Sequence, residues 1–482
     1  MSKHVIYGPP GTGKSTEVIR RLKEYLDNGV PHDRIGLCSF TKTSAEVLSR
    51  RSGLKNRAVG TIHSLAFRQS GIIREQVMDA NRLRDFADSI ALDLAEVTPD
   101  EKEELQDGDY YITLYSKVKA LNHNDYESVY EDSEQPGSLE DFLYFVKKYE
   151  AFKSDNGYVD YNDMLTLALT ADPLELDVLF IDEAQDLSPL QWALIDYWIP
   201  TIEHVHVSGD DDQSIYDWGG ADPFGMTVFE EKYNAIKTVL SQSFRVPSDV
   251  HNKALSILQN IGDRVDKPYK PRDAKGSIHY HESADMIGDF TKGESVLILY
   301  RNHVLREEME AHLIDSFIPY VVDNGAPGYL DGWYRRLIKL YAKYIDKGSD
   351  DSFSRTDSMQ FRSALHPMCR VNVKEGDYSK LQGMHWSDAL DMPVEPREYL
   401  LAIEKEYGTL DIEPDIHLSS IHGAKGREAD RVILINALTL RTSDTLDESD
   451  DLDSEARVFY VAVTRTKNRL DIIDGDNALT WL

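Results

Sequence analysis

The chain has 482 residues and carries 53 Lys and Arg against 84 Asp and Glu, a net charge of −31. It contains no run of about 18 apolar residues, which excludes a membrane-spanning helix; no membrane partner is expected, and its start, MSKHVIYGPP, gives no expectation of a secretory leader. Two cysteines, Cys38 and Cys369, are too few for a disulfide framework or a cysteine zinc site, so a reducing, cytoplasmic setting is expected, in a bacterial cell or an infected host cell.

At about 100–200 residues per domain, the length suggests two to four domains. HVIY (4–7) has the apolar run of a short buried strand. A glycine-rich turn and a helix to about Asp27 follow. RIGLCSF (34–40) predicts a second strand, with a helix through about Arg51. Residues 67–170 are polar and helical in pattern and predict an inserted helical domain. DVLFI (177–181) is a continuous apolar run ending in acids, as expected of a buried parallel strand. HVHVSG (204–209) and SVLILY (295–300) repeat the pattern, as do RVILIN (431–436) and RLDII (469–473). Strands alternating with helices predict an α/β fold with parallel sheets flanked by helices. Residues 346–414 break the alternation and predict a second, smaller insertion.

Charge is unevenly spread. Residues 34–68 hold seven cations and Glu46, a net of +6, whereas 93–109 and 125–141 are each −7 and 444–455 holds seven acids and no base. At physiological salt the Debye length is about 8 Å, so remote acidic blocks leave a basic groove elsewhere unscreened and usable.

Gly8-Pro9-Pro10-Gly11-Thr12-Gly13-Lys14-Ser15, followed by Thr16, fits a phosphate-binding loop between a strand and a helix. Glycines let backbone N–H groups curl around phosphate oxygens, and the helix N-terminus favours the anion. In this pattern Lys14 reaches the β- and γ-phosphates and the Ser15 hydroxyl ligates Mg²⁺. Asp182, just beyond DVLFI, suits the same Mg²⁺ through its water shell. The adjacent Glu183 suits orientation and deprotonation of an attacking water. Together these predict hydrolysis of a nucleoside triphosphate.

Further motifs follow in order: Asp182-Glu183-Ala184-Gln185-Asp186, Gly209 to Trp218 (GDDDQSIYDW), Gln242-Ser243-Phe244-Arg245, Ile421 to Gly426 (IHGAKG) and Tyr460 to Arg465 (YVAVTR). This set resembles the UvrD/Rep/PcrA family of superfamily-1 DNA helicases, in compact form, from about residue 5 to 470. The resemblance implies two RecA-like motor domains, here 1–66 with 171–243 and 244–345 with 415–482, carrying insertions at 67–170 and 346–414. ATP with Mg²⁺ would bind between them and single-stranded DNA would cross their top. Gln213 would sense the γ-phosphate. Arg245 and Arg465 would approach it as arginine fingers, a task suited to a permanently charged fork. Phe244 would stack on adenine and Glu428 would reach the ribose. Phe40, Thr41, Thr61, His63, Tyr216, Trp218 and His422 match positions that contact DNA, and stacking aromatics suit a motor indifferent to sequence.

The implied activity is ATP-driven 3′→5′ translocation with unwinding at single-strand/duplex junctions. The alternative is a DNA-stimulated translocase that strips or remodels DNA-bound proteins. Acidic blocks would offer a dock for a basic replication or repair protein. Three features depart from the family. Only seven residues precede Gly8, where an adenine-reading glutamine motif is expected. Gly219 stands where the family has arginine. The second insertion is short.

Overall fold

The computed structural model describes residues 2–94, 107–131, 133, 137–322, 333–347, 353–374, 381–410, 412–446 and 451–482. Each of the three acidic blocks, 93–109, 125–141 and 444–455, lies partly outside the described residues.

Two parallel six-stranded sheets organise the chain. The first contains β1 (Ser2–Tyr7), β2 (Ile35–Ser39), β3 (Val59–Thr61), β4 (Val178–Asp182), β5 (His204–Gly209) and β6 (Ile236–Val239), in the order β3-β2-β4-β5-β1-β6. The second contains β7 (Ser277–His281), β8 (Val296–Tyr300), β9 (Tyr320–Val322), β10 (Ile416–Ser420), β11 (Ala429–Asn436) and β12 (Thr466–Asp474), in the order β7-β12-β11-β8-β10-β9. Every strand pair is parallel. Helices cover the sheet faces, so several inner strands are largely apolar; β2, β4 and β8 are buried at every residue. The helix Lys14–Asp27 shows how one face is closed. Its Val18, Ile19 and Leu22 pack on Ile35, Leu37, Val178 and Phe180.

The helical segment between β3 and β4 builds its own core from Phe86, Tyr115, Phe142, Phe145 and Tyr149. Its last helix, Tyr161–Ala168, instead buries Leu165 and Ala168 among the residues of the first sheet, inside the border expected at 170. The buried Lys153 ammonium fastens the two parts, lying 2.6 Å from both Asp160 and Asp163. The second insertion gathers Phe361, Leu390 and Leu400 with Leu337, Tyr341 and Tyr344 of the helix Trp333–Lys347. That helix therefore packs with the insertion, ahead of the border expected at 345.

Under the first sheet, at the strand ends away from the phosphate loop, His4 and His206 stack with ring centroids 4.5 Å apart. His206 is buried, stacks on Phe180 and shares a hydrogen bond with the Tyr25 hydroxyl at 2.9 Å. Burial first, then repulsion from His4, Arg21 and His204, pushes His206 down to about 3, against a pull upward from Glu17. A histidine held neutral in the fold contributes stability that is complete above its unfolded value, near 6.5, and is lost as pH falls toward the folded value. Unfolding by denaturant at stepped pH is expected to lose up to about 1.4 kcal/mol per pH unit from this one proton below pH about 6.5. H206Q is expected to flatten that slope.

Candidate nucleotide and DNA site

The phosphate loop joins β1 to the helix Lys14–Asp27. The Gly8 N–H donates to Gly209 O at 3.0 Å, fixing the loop on the end of β5. A Cβ on Gly8 would lie 2.1 Å from Lys14 Cγ, so the lysine stem needs glycine there. Gly11 and Gly13 have φ of +71° and +84°, the left-handed region that glycine adopts without a steric penalty. The Thr12 hydroxyl donates to Pro9 O at 2.7 Å, and Lys14 Nζ donates to Gly8 O at 2.9 Å.

Asp182 ends β4 beside this loop. Its two carboxylate oxygens accept from Ser15 Oγ at 3.0 Å and Ser208 Oγ at 2.6 Å. Burial first, and then Glu183, push its carboxyl up. A buried carboxylate crowded by a second one and hydrogen-bonded to a hydroxyl on a phosphate loop is a donor set short of positive charge. It fits Mg²⁺, with Ser15 and Asp182 as the residues to hold it. Glu183 takes the left-handed conformation, φ +54°, costing about 1–3 kcal/mol in a non-glycine residue. Its Oε2 accepts from Gln185 Nε2 at 2.9 Å. Burial alone would raise Glu183, but Lys14, Lys425, the Gln185 amide and Arg465 outweigh it and hold the carboxyl below its usual range. The group stays ionised, as a base must.

The second half of the chain closes over the loop. The Phe244 N–H donates to Gly11 O at 2.8 Å, and the Ser243 hydroxyl donates to Pro10 O at 2.8 Å. The Phe244 ring is 72% exposed at the mouth of the cavity, free to meet a base. Arg245 Nε donates to Glu428 at 2.6 Å, and Lys467 holds the other Glu428 oxygen at 3.0 Å. Arg465, just before β12, is buried and donates to Gln213 Oε1 at 2.7 Å, while the Gln213 amide donates to Asp210 at 2.6 Å. Burial, and then the neighbouring Arg245, pull the Arg465 guanidinium down to about 9, so it remains charged at neutral pH. The phosphate loop, Asp182, Glu183, Gln213, Phe244, Arg245, Glu428, Arg465 and Lys467 line one cavity of roughly 960 Å³ between the two sheets, which also takes in Thr41, Tyr216 and His422.

The expected DNA residues fall into two groups. Phe40, Tyr216, Trp218 and His422 come together: the Tyr216 ring lies 5.1 Å from Phe40, 6.2 Å from Trp218 and 5.9 Å from His422. His422 also reaches Ile215 O at 3.0 Å. Thr41 lies just past the end of β2 and Thr61 ends the paired strand β3, and each caps the helix it opens, accepting from Ser44 N and Ser64 N at 3.2 Å. His63 stands one helical step on, edge-to-face with Tyr161 at 5.9 Å; burial holds its imidazole neutral, down to about 4.

Four residues here escaped the sequence reading. Lys425 lies within the quoted segment 421–426, so its signal was present but carried no role. Asp186 likewise sits in the quoted run 182–186. Arg51 Nη2 donates to Thr16 Oγ1 at 2.9 Å from a different helix, and Tyr161 is 61% exposed beside His63. Neither of those has a local sequence signal, because only the fold brings them to the site.

The fold and cavity define a P-loop nucleoside triphosphatase whose site is completed by a second parallel-sheet domain. Residues 1–234 match the UvrD/REP helicase N-terminal domain and residues 397–475 match the UvrD-like helicase C-terminal domain. The chain belongs to this UvrD-like helicase family. It is similar to ATP-dependent DNA helicase UvrD2 of Mycobacterium tuberculosis, at 25% identity over 98% of this chain and 75% of that protein. It is similar also to DNA helicase II of Salmonella typhimurium, at 22% identity over 98% of this chain and 82% of that one. PcrA of Staphylococcus epidermidis matches at 24% over 72% of this chain and 52% of its own length.

A Cβ at Gly11 would approach Arg245 Cβ to 2.4 Å and force the loop from its left-handed turn. G11A is therefore expected to weaken binding of a fluorescent ATP analogue at least about tenfold, a cost of about 1.4 kcal/mol. The clash and the left-handed turn exist without nucleotide, so the thermal midpoint of the nucleotide-free protein should fall as well, by the equivalent of about 1 kcal/mol or more.

Proposed function

We propose that this protein is an ATP-dependent DNA helicase that moves 3′→5′ along single-stranded DNA and opens the duplex at a single-strand junction. One observation carries the reading. Gln213, held by Arg465 in the nucleotide cavity, and Tyr216, packed between Phe40 and His422, are three residues apart on one short segment. Family membership and the relatives named as DNA helicases support the same reading.

In this mechanism the phosphate loop and Lys14 bind the triphosphate, and Phe244 stacks on its base. Ser15 and Asp182 would hold Mg²⁺, which would supply charge neutralisation at the phosphates. Glu183 orients and deprotonates the attacking water. Arg245 leaves Glu428, and with Arg465 it meets the γ-phosphate from the second domain, so hydrolysis requires a closed cleft. Glu428 is then released toward the ribose. Each closure shifts the second domain and moves the strand across Phe40, Tyr216 and Trp218, with stacking worth about 1–3 kcal/mol per base. Tyr161 extends the same track beside His63. A soluble, cytoplasmic setting and a basic replication or repair partner for the acidic blocks are consistent with this role.

ATP hydrolysis and strand displacement on 3′-tailed, 5′-tailed and blunt duplexes test the proposal directly. Hydrolysis stimulated by single strands and displacement of 3′-tailed substrates are expected; displacement of 5′-tailed duplexes alone would overturn the polarity. Stimulated hydrolysis with no displacement on any substrate would favour the translocase that remodels bound proteins, a reading the compact second insertion also suits. K14A should abolish turnover, and W218A should reduce DNA-stimulated turnover more than basal turnover.

A further inference from the structure

Lys425 belongs to the second domain but spends its charge on the first. Its Nζ lies 2.6 Å from both carboxylate oxygens of Asp186 and 2.6 Å from the Gln213 carbonyl. An ammonium has three donors, and all three are thereby committed. The same Nζ sits 4.9 Å over the Tyr216 ring, the central aromatic of the DNA track. Asp186 is in turn one amide away from the hydrolytic carboxylate: Gln185 Nε2 donates to Asp186 Oδ2 at 3.0 Å and to Glu183 Oε2 at 2.9 Å. The Gln185 carbonyl oxygen Oε1 accepts from Asp210 N at 3.1 Å, which leaves that amide little freedom to turn. Asp186 is 2% exposed, so its charge is offset by protein groups and not by water.

We propose that Lys425 is a positioning residue that links the DNA track to Glu183, so that a base seated on Tyr216 sets the orientation of the hydrolytic carboxylate. This rests on the reading of the protein as a DNA-stimulated ATPase. The physical steps are short. A base stacking on Tyr216 displaces or repolarises the ring over which the ammonium lies. With its donors saturated, the ammonium cannot follow the ring without shifting on Asp186 or on Gln213. A shift at Asp186 moves Gln185, and Gln185 holds Glu183. A shift at Gln213 moves the side chain that Arg465 grips. One cation thus touches the DNA track, the γ-phosphate side and the water-activating side of the site.

Burial pushes the Asp186 carboxyl up to about 6 even though Lys425 pulls it down; Glu183 adds to the rise and Lys14 opposes it. Removing the Lys425 charge therefore raises it further, which gives a readout that loss of packing alone does not move.

The experiment measures ATP hydrolysis of the full chain against pH, with and without a single-stranded thymidine oligonucleotide. The proteins compared are wild type, K425M, K425M/D186N, Y216L and K425M/Y216L. K425M is expected to lower DNA-stimulated kcat at least about tenfold and to move the acid limb of its pH profile to higher pH. K425M/D186N removes both buried charges with the packing kept. It should stay folded and remain poorly stimulated, with its limb moved back toward wild type by the share Asp186 carries, the rest being the direct pull of Lys425 on Glu183. K425M/Y216L should lose little beyond the worse single variant. An unmoved limb in K425M, losses from K425M and Y216L that multiply, or stimulation restored in K425M/D186N would each overturn the link. Wild-type hydrolysis that DNA does not stimulate would overturn the proposed function and the link with it. Full stimulation retained in K425M would overturn the link alone.

Discussion

The C-terminal edge of the first sheet concentrates carboxylates, and their charge governs how the two halves of the chain meet. Asp182, Asp186, Asp210, Asp211 and Asp212 are all buried there, around Glu183. Buried charges must be paired, and leaving one unpaired costs about 3–5 kcal/mol. Apart from Lys14, the cations that pair them come from beyond residue 243. Lys267 lies 2.7 Å from both Asp211 and Asp212 and 3.2 Å from Asp210, and Arg264 lies 2.6 Å from Asp212. Lys425 holds Asp186, and Arg465 reaches Asp210 through Gln213. The first domain is electrostatically incomplete alone, so the second is attached by the groups that make a catalytic cleft.

Within that arrangement, the run Gly209 to Trp218 divides its labour by position. Asp210 to Asp212 anchor the segment entering the second domain. Gln213 turns its side chain to the nucleotide cavity and its carbonyl to Lys425. Tyr216 gathers the rings of Phe40, Trp218 and His422, and Gly220 packs close on Ala120 of the helical insertion, with an added Cβ only 3.1 Å from the alanine methyl. A displacement at any one of these points reaches the others over very little backbone. In the proposed function, coupling between hydrolysis and movement then needs no long pathway, only a stiff segment with different partners at each end.

How much of this was legible in the sequence depended on burial. The strands β1, β2, β4, β8 and β11 announced themselves because strands covered on both faces tend to continuous apolar runs, and β5 and β12 were legible from the valines of HVHVSG and the apolar residues of RLDII. The edge strands β3, β6, β7 and β9 are short or half-exposed, with no such run; β6 shows solvent at Ile236 and Lys237. β10 lies inside its sheet, yet IHLSS ends in two serines and escaped for that reason. The nucleotide residues were legible because backbone geometry demands glycines at fixed spacing. Arg51 and Tyr161 were not, since their roles come from tertiary approach. The borders of both insertions shifted for a related cause: the helices Tyr161–Ala168 and Trp333–Lys347 carry apolar faces that name no partner, and packing chose one.

Net charge is where the fold adds most to the sequence. The +6 of residues 34–68 suggests a basic track, but the structure disperses it. Arg34 pairs with Asp177 at 2.6 Å, at the opposite end of the strands from Phe40, and Arg68 turns to Val59 O and Ser64. Arg51 faces Thr16 and the nucleotide cavity. The helix Lys42–Ser52 spans about 16 Å, which carries Lys55 and Arg57 past its far end and leaves Lys42 beside Phe40 and Thr41. Few cations of this segment therefore stand where a strand over Phe40 would place its phosphates. In the proposed function the grip on DNA then rests on the cluster of Phe40, Tyr216 and Trp218 more than on counterion release. Such a grip is well matched to a motor: stacked bases hold firmly while the cleft is closed, and let go one ring at a time when it opens.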